Sequence, residues 1–314
     1  MTLILWPGGD AMIETRLLYY FLATAREESM TKAAETLHIT QPALSKQIME
    51  LEAQLGKQLF IRGRKKTTLT EDGIYLRGRA QELLDLMERT ESAFQSEDDL
   101  VCGDVCLGCG ETPAMGLIAG IFKKIQEDCP HVHFHLFSGD SATIMEKLDQ
   151  GLLDAGLQLG PERREHYDYL ELPMTDSFGL LMPKDCRLAA KKSISINDLN
   201  ELPLIMPRQV QSSSERLAWF GGVYDSLNVV ATYNLVYNAT FMVEQGLGCA
   251  FCLSGLADTS GARNLAFRPV KPAITVGLSL VTKKYQTFSP AVKVFLARLK
   301  EETRLQAGNK TAQT

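Results

Sequence analysis

The chain has 314 residues, with 33 Lys+Arg against 38 Asp+Glu and a formal net charge of −5; at about 100–200 residues per domain, this length predicts two or three domains. It is 45% hydrophobic and 23% charged, which excludes the disordered and fibrous classes. Apolar runs such as Met115–Phe122 fall short of the roughly 20 residues of a membrane helix, Met1–Ala11 lacks the basic start of a secretory signal, and seven cysteines without such a signal point to reduced thiols in a cytoplasm. Global charge alone argues against a nucleic-acid partner.

Taken in chain order, Leu18, Phe21, Leu22 and Ala25 recur at helical spacing and predict a first helix. Ser29 and Thr31 are cap candidates for a second, Lys32–Leu37, which presents Ala33, Ala34 and Leu37. After the short turn His38-Ile39, Thr40 caps a third helix with Pro42 in its first turn, where a missing N–H costs nothing. Its apolar face is Leu44, Ile48, Leu51 and Leu55, leaving Gln41, Ser45, Lys46 and Gln47 at the N-terminus or facing out. Two helices joined by a tight turn, the second opening on polar donors and acceptors, form a helix-turn-helix. Gln and Ser reach base edges, and Lys with the helix N-terminus suits phosphates.

Leu59-Phe60-Ile61 and Thr67-Thr68-Leu69 then read as two short strands around a basic tip. Lys57, Arg62, Arg64, Lys65 and Lys66 fall within ten residues that contain no acid. Such a cluster binds phosphate through its local field, so net charge is the wrong measure. The hairpin is the wing of a winged helix. Thr70 caps a long helix to about Phe94, along which Leu76, Ala80, Leu83, Met87, Thr90 and Phe94 follow a 4-3-4-3-4 spacing. That spacing predicts a coiled-coil dimerisation seam with one polar position.

These residues carry a family resemblance. Ala33-Ala34, Leu37, Thr40-Gln41-Pro42-Ala43-Leu44-Ser45, Ile48, Leu51-Glu52, Leu55-Gly56, Leu59-Phe60, Arg62, Leu69-Thr70 and Gly73 resemble the N-terminal signature of LysR-type transcriptional regulators. The resemblance implies that Gln41, Pro42, Ser45 and Lys46 enter the major groove, that Thr40 touches backbone phosphate, and that the wing around Arg64–Lys66 follows the minor groove. It also implies a native start at Met12, with Met1–Ala11 an extension or a misassigned start. Where the family carries a second wing arginine this chain has Lys65, which keeps the charge but not the guanidinium.

From Gly103 strands and helices alternate, predicting an α/β region with a mostly parallel sheet. Strands are expected at Val105–Cys109, His133–Phe137, Leu153–Leu159, Phe178–Met182, Leu204–Met206, Val229–Tyr233 and Val276–Val281. Helices are expected at Thr112–Asp128, Ser141–Asp149, Ser213–Phe220, Ala239–Gln245 and Pro290–Thr303. The expected fold is α/β overall: a winged helix-turn-helix over 12–70, a linker helix over 71–96 and a regulatory domain over 101–306. The last resembles the family's two-lobed, periplasmic-binding-protein-like domain, with lobe I at about 101–172 and 273–306 and lobe II at about 173–272.

Ligands in such sheets bind beyond the carboxyl ends of the strands. The candidate effector residues there are Glu111, Thr112, Ser138, Gly139, Arg208, Asn238 and Thr240. Thr112 and Thr240 offer hydroxyls beside helix N-termini, and Arg208 suits an acid. Glu111 would repel an anionic ligand, so either it pairs with Arg208 or the ligand carries a cationic or hydroxyl group. The bland reading of Thr112, Ser138 and Thr240 is ordinary helix capping.

The implied function is sequence-specific binding to a dyad site in promoter double-stranded DNA by a homodimer or tetramer, under a small-molecule effector of unknown identity. No cofactor, metal or membrane is expected, and no catalytic residue: no Ser–His–Asp, HExxH or P-loop spacing occurs. Cys102-x3-Cys106-x2-Cys109 matches the spacing of an iron–sulfur enzyme motif, but a strand sends Cys106 and Cys109 to opposite faces. Cys249-x2-Cys252 reads likewise as structural. A thiol-redox-sensing regulator is the alternative, with Cys129 beside His131 and Cys186 beside Arg187 as its local candidates. His131 and His133 form a pair short of further metal ligands. A solute-binding receptor would need an export signal and no winged head.

Overall fold

A computed structural model describes residues 13–63, 66–94, 101–160, 162–212, 219–261 and 263–311. The chain divides into two compact units, Met1–Phe94 and Gln95–Thr314. The expected helix at Ser213–Phe220 falls largely outside the described residues, as do Met1–Met12.

In the first unit, α1 (Thr15–Glu27), α2 (Met30–Thr36) and α3 (Gln41–Leu55) precede β1 (Phe60–Arg62), β2 (Thr67–Leu69) and α4 (Glu71–Phe94). The Ser29 hydroxyl accepts from Lys32 N, so α2 opens at Met30, earlier than expected. Its buried Ala33 and Ala34 have no bulk to hold neighbouring helices apart. His38, in the left-handed region at φ 54°, turns the chain sharply into α3. The Thr40 hydroxyl accepts from Ala43 N at 3.4 Å with Pro42 in the first turn, and Gly56 ends the helix at φ 64°. Leu17, Phe21, Leu44, Ile48, Leu51, Leu59 and Phe60 form the core.

Glu52 Oε1 accepts from both Leu59 N (2.8 Å) and Phe60 N (3.2 Å), tying the wing strand to α3. The expected hairpin forms, its first strand one residue later than expected, with Phe60 registered against Leu69 and Arg62 against Thr67. Gly73 lies against Leu59: a Cβ there would stand 2.2 Å from the Leu59 carbonyl oxygen. That backbone approach leaves no room for a side chain at Gly73.

In the second unit the order is β3 (Gly103–Cys109), α5 (Met115–Asp128), β4 (Val132–Ser138), α6 (Ser141–Asp149), β5 (Ala155–Leu159), β6 (Tyr167–Pro183), β7 (Ile194–Ser195), β8 (Leu204–Pro207), α7 (Arg208–Ser212), β9 (Val229–Tyr233), α8 (Val236–Glu244), β10 (Cys249–Leu253), β11 (Leu265–Lys271), β12 (Thr275–Lys283) and α9 (Pro290–Thr311). The strands run β4-β3-β5-β12-β6-β10-β8-β9, with β11 and β7 off this path. β4-β3-β5 are mutually parallel, as are β10-β8-β9. Burial on both faces explains their unbroken apolar runs, such as Cys249–Leu253.

The 17-residue β6 joins the two lobes. Its first part pairs antiparallel with β12 as far as Ser177–Thr275, and from Phe178 it pairs with β10 and β11. The chain therefore changes lobe at Ser177–Phe178, later than the expected boundary at 172. The sequence predicts a strand only from Phe178, because Tyr167–Ser177 carries Pro173 and several charges. α9 returns to lobe I, burying Ala291, Val292, Phe295 and Leu299 with Ile118, Ile121 and Ile125 of α5.

Candidate nucleic-acid interface and inter-lobe cleft

α3 packs inward through Leu44, Ile48 and Leu51, and this fixes what it shows outside. Gln41, Pro42 and Lys46 are exposed and Ser45 is half-exposed. At 100° per residue, Pro42, Ser45, Lys46 and Met49 share one face, free of the core. The Thr40 hydroxyl serves the local cap.

The wing is less positive in space than along the chain. Lys66 Nζ lies 2.6 Å from Glu28 Oε2 at the end of α1, and Lys57 Nζ lies 3.5 Å from Asp72 Oδ2. Two of the five basic residues of the run thus meet acids that the run itself lacks. Arg64, Lys65 and the Arg62 side chain lie outside the described residues, as does the Phe94 side chain.

The expected α4 seam stays on one face of the helix but meets different surroundings along its length. Ala80 is fully buried in the core of its own unit, and Leu76 and Leu84 pack against that core. Ala80 therefore presents no surface to a second helix, contrary to the sequence expectation. The apolar side chains that α4 exposes are Ile74, Tyr75, Leu83, Leu86 and Met87. Leu83 and Met87 keep the expected position; Leu86 and Tyr75 carry no heptad signal.

A cavity of about 120 Å³ opens between the lobes of the second unit. Leu159, Phe178, Val210, Trp219, Leu253, Leu256 and Val276 form its apolar wall. Gly110, Glu111, Ser141, Pro207, Gln209, Tyr233 and Asn234 complete it. Phe178 stacks on Phe251 and tilts against Trp219, with ring centroids 5.0 and 4.8 Å apart. The Tyr233 hydroxyl donates to Phe251 O at 2.7 Å, and burial holds its pKa well above the usual range.

Of the seven expected effector residues, the cavity wall includes Glu111 alone. Its Oε2 accepts a short hydrogen bond from Val236 N, the first residue of α8, so a lobe I carboxylate caps a lobe II helix. Glu111 thus has a partner other than Arg208. Arg208 is 68% exposed and faces Asp140 Oδ2 at 3.5 Å; Asp140 caps α6 through Thr143, whose hydrogen bonds hold its pKa low. Thr112 is buried, and its hydroxyl donates to Asp176 Oδ2 at 2.5 Å while accepting from Ala114 N. Burial pushes the Asp176 carboxyl up, against the lowering effect of that hydroxyl.

Thr240 is buried on another side of α8: its hydroxyl donates to Tyr237 O and accepts from Arg263 Nη2, which also grips Glu244. Ser138 and Asn238 are exposed, and Gly139 is buried under Phe137. For Thr112 and Thr240, local capping and pairing describe the structure better than an open ligand cradle. The rule that found Glu111 also reaches Leu159 at the end of β5 and Leu253 at the end of β10, which sequence reasoning passed over. Phe178, Val276 and Trp219 carry no such signal.

Of the seven thiols, Cys109, Cys249 and Cys252 are buried, while Cys102, Cys106, Cys129 and Cys186 are half-buried. Val105, Leu107 and Cys109 share one core and Cys106 packs with another, so the strand separates the cysteines as its period demands. Burial raises the pKa of Cys109 and takes Cys249 and Cys252 up to about 12, opposite to what a reactive thiolate needs. Among the described residues, no group of three His, Cys, Asp or Glu is placed to hold a metal ion. No described helix is long and apolar enough to cross a membrane.

Two family models match: residues 15–74 fit "Bacterial regulatory helix-turn-helix protein, lysR family" and residues 98–304 fit "LysR substrate binding domain". Among curated relatives, the Hca operon transcriptional activator HcaR of Escherichia coli is 29% identical over 294 residues, covering 92% of this chain and 98% of its own. The HTH-type transcriptional regulator BsdA of Bacillus subtilis is 30% identical over 199 residues, covering 63% and 68%. Among solved structures, full-length CbnR complexed with its target DNA superposes with a TM-score of 0.71 at 20% identity, over 92% of this chain and 99% of that one.

Proposed function

The chain belongs to the LysR family of transcriptional regulators, and from that premise we propose that it is a cytoplasmic, non-enzymatic homo-oligomer that binds promoter DNA under the control of a small molecule in the inter-lobe cleft. The observation that carries the reading is α3: a capped helix whose outer face, Gln41, Pro42, Ser45 and Lys46, is free of the core. Gln41 and Ser45 supply groups for base edges, Lys46 and Thr40 contact phosphate, and the wing of Arg62, Arg64, Lys65 and Lys66 follows the adjoining groove. Leu83 and Met87 on α4, joined by Leu86, form the self-association face. In the regulatory unit, a ligand between lobes linked by β6 favours one inter-lobe arrangement over another by its differential contacts. That bias alters the spacing of paired heads and hence the DNA bend.

A salt-titrated binding assay tests the division of roles. Ser45→Ala should lower affinity for the specific site by roughly tenfold and leave random DNA unaffected. Lys66→Ala should weaken both equally and reduce the salt slope by about 1 or less. Equal losses on random DNA for both variants would contradict the assignment.

A further inference from the structure

We propose that the effector is an uncharged, single-ring molecule bearing a hydroxyl donor, of the phenol class, seated against Phe178 and Trp219 with its hydroxyl toward Glu111. This deepens the reading of the cleft as the effector site and rests on it. The cavity, at about 120 Å³, has the scale of an engineered apolar cavity of roughly 150 Å³ that takes up benzene. Aromatic and aliphatic side chains make up one wall, so the ring is buried without stranded polar groups.

Charge selects among ring compounds. The N-terminus of α8, nine residues long, is a natural seat for a ligand's carboxylate. Here the protein's own carboxylate occupies it, because Glu111 Oε2 accepts from Val236 N. Among the described residues, no Lys, Arg or His lines the cavity, and the neighbouring Arg208 faces Asp140 from an exposed position. An anionic ring would be buried beside Glu111 with no counter-charge, which desolvation and like-charge repulsion both oppose. A cationic ring would lose its hydration, while the helix N-terminus already offsets the Glu111 charge. A hydroxyl needs no counter-charge and donates to the remaining lone pairs of that carboxylate.

The test uses the full chain with Trp6→Phe, which leaves Trp219 the sole indole, titrated with phenol, benzoate and benzylamine while its fluorescence is followed. Phenol should quench saturably, with benzoate and benzylamine weaker by about tenfold or more. Gly110→Ala adds a methyl at ordinary distances, 3.6 Å from Leu159 Cδ1 and 3.7 Å from Gly139 O, so the fold tolerates it while the cavity shrinks. It should weaken phenol by about tenfold or more. Glu111→Gln keeps an acceptor for Val236 and should narrow the preference for phenol over benzoate. Benzoate or benzylamine binding as tightly as phenol, with that binding weakened by Gly110→Ala, overturns the charge assignment but keeps the cavity as the site. Phenol binding untouched by Gly110→Ala overturns the cavity reading itself. Absence of saturable quenching by all three overturns the ring class, and an unchanged preference in Glu111→Gln removes Glu111 from the selectivity.

Discussion

On α3 the residues proposed to read DNA lie within the short stretch Gln41–Lys46 and face away from the core, whereas the cleft draws its wall from Gly110 through Val276. The first surface is polar and convex, made by one helix whose inner face fixes its outer one. The second is concave, largely apolar, and assembled from the ends of strands in two lobes. Its lining carboxylate, Glu111, caps α8, and the polar groups near it are paired as well: Arg208 faces Asp140, and Thr112 donates to Asp176. A surface that reads a polymer keeps its polar groups open to solvent, while a cavity that takes a small molecule pairs its own.

The contrast can be broken or sharpened in graded steps. Gly73→Ala forces a Cβ onto the Leu59 carbonyl and should destabilise the head by about 3 kcal/mol. Denaturant unfolding should then lower a head transition while that of residues 95–314 stays in place; a joint shift would mean the two units do not unfold independently. Leu83→Glu, on the exposed face of α4, should weaken self-association by roughly 2 kcal/mol, read by sedimentation. Ala80→Leu should instead cost head stability, because that site is internal; a loss of association without destabilisation would restore the heptad seam.

Glu28→Gln removes the acid beside Lys66 and should strengthen binding to all DNA by about threefold, since an exposed pair is worth under ~1 kcal/mol. Weaker binding would show that Glu28 orders the wing rather than masking it. The smallest effect concerns Asp176. Burial raises its folded pKa above the ordinary value of 3.8, so its contribution to stability is fully present below the unfolded pKa and is lost as pH rises through the folded pKa. Asp176→Asn should therefore raise the melting temperature at neutral pH, with the gain vanishing as the pH falls below about 4. A gain independent of pH would remove the ionisation account.

Much of the head was legible because its signals are local. Caps at Ser29, Thr40 and Thr70, the apolar face of α3 and the hairpin around the basic tip all act within a few residues. The α4 seam misled for a specific reason: a 4-3 spacing marks an apolar stripe without saying what covers it, and Ala80 is covered by its own domain. In the cleft, strand ends were located, yet side-chain direction was not. Thr240 lies at the expected helix but turns to Arg263, and Arg208 follows the expected strand but faces Asp140. Phe178 reaches the cavity at the crossover in β6, whose first half carries no clear strand pattern, and Val276 of β12 pairs beside it with Asp176.

By itself, the sequence determined that this chain carries a winged helix-turn-helix followed by a two-lobed α/β unit, because caps, periodicity and turn chemistry are written in neighbouring residues. Only the tertiary structure decided how the charges of the wing are met, which stretch of α4 remains open, and that Glu111 holds the N-terminus of α8. Those outcomes depend on which groups distant in the chain are brought within hydrogen-bonding or ionic reach, and a linear pattern records the groups without their meeting. The opening net charge of −5 shows the same limit: a sum over the chain describes neither a basic wing partly met by Glu28 and Asp72 nor a cleft with a carboxylate at its wall.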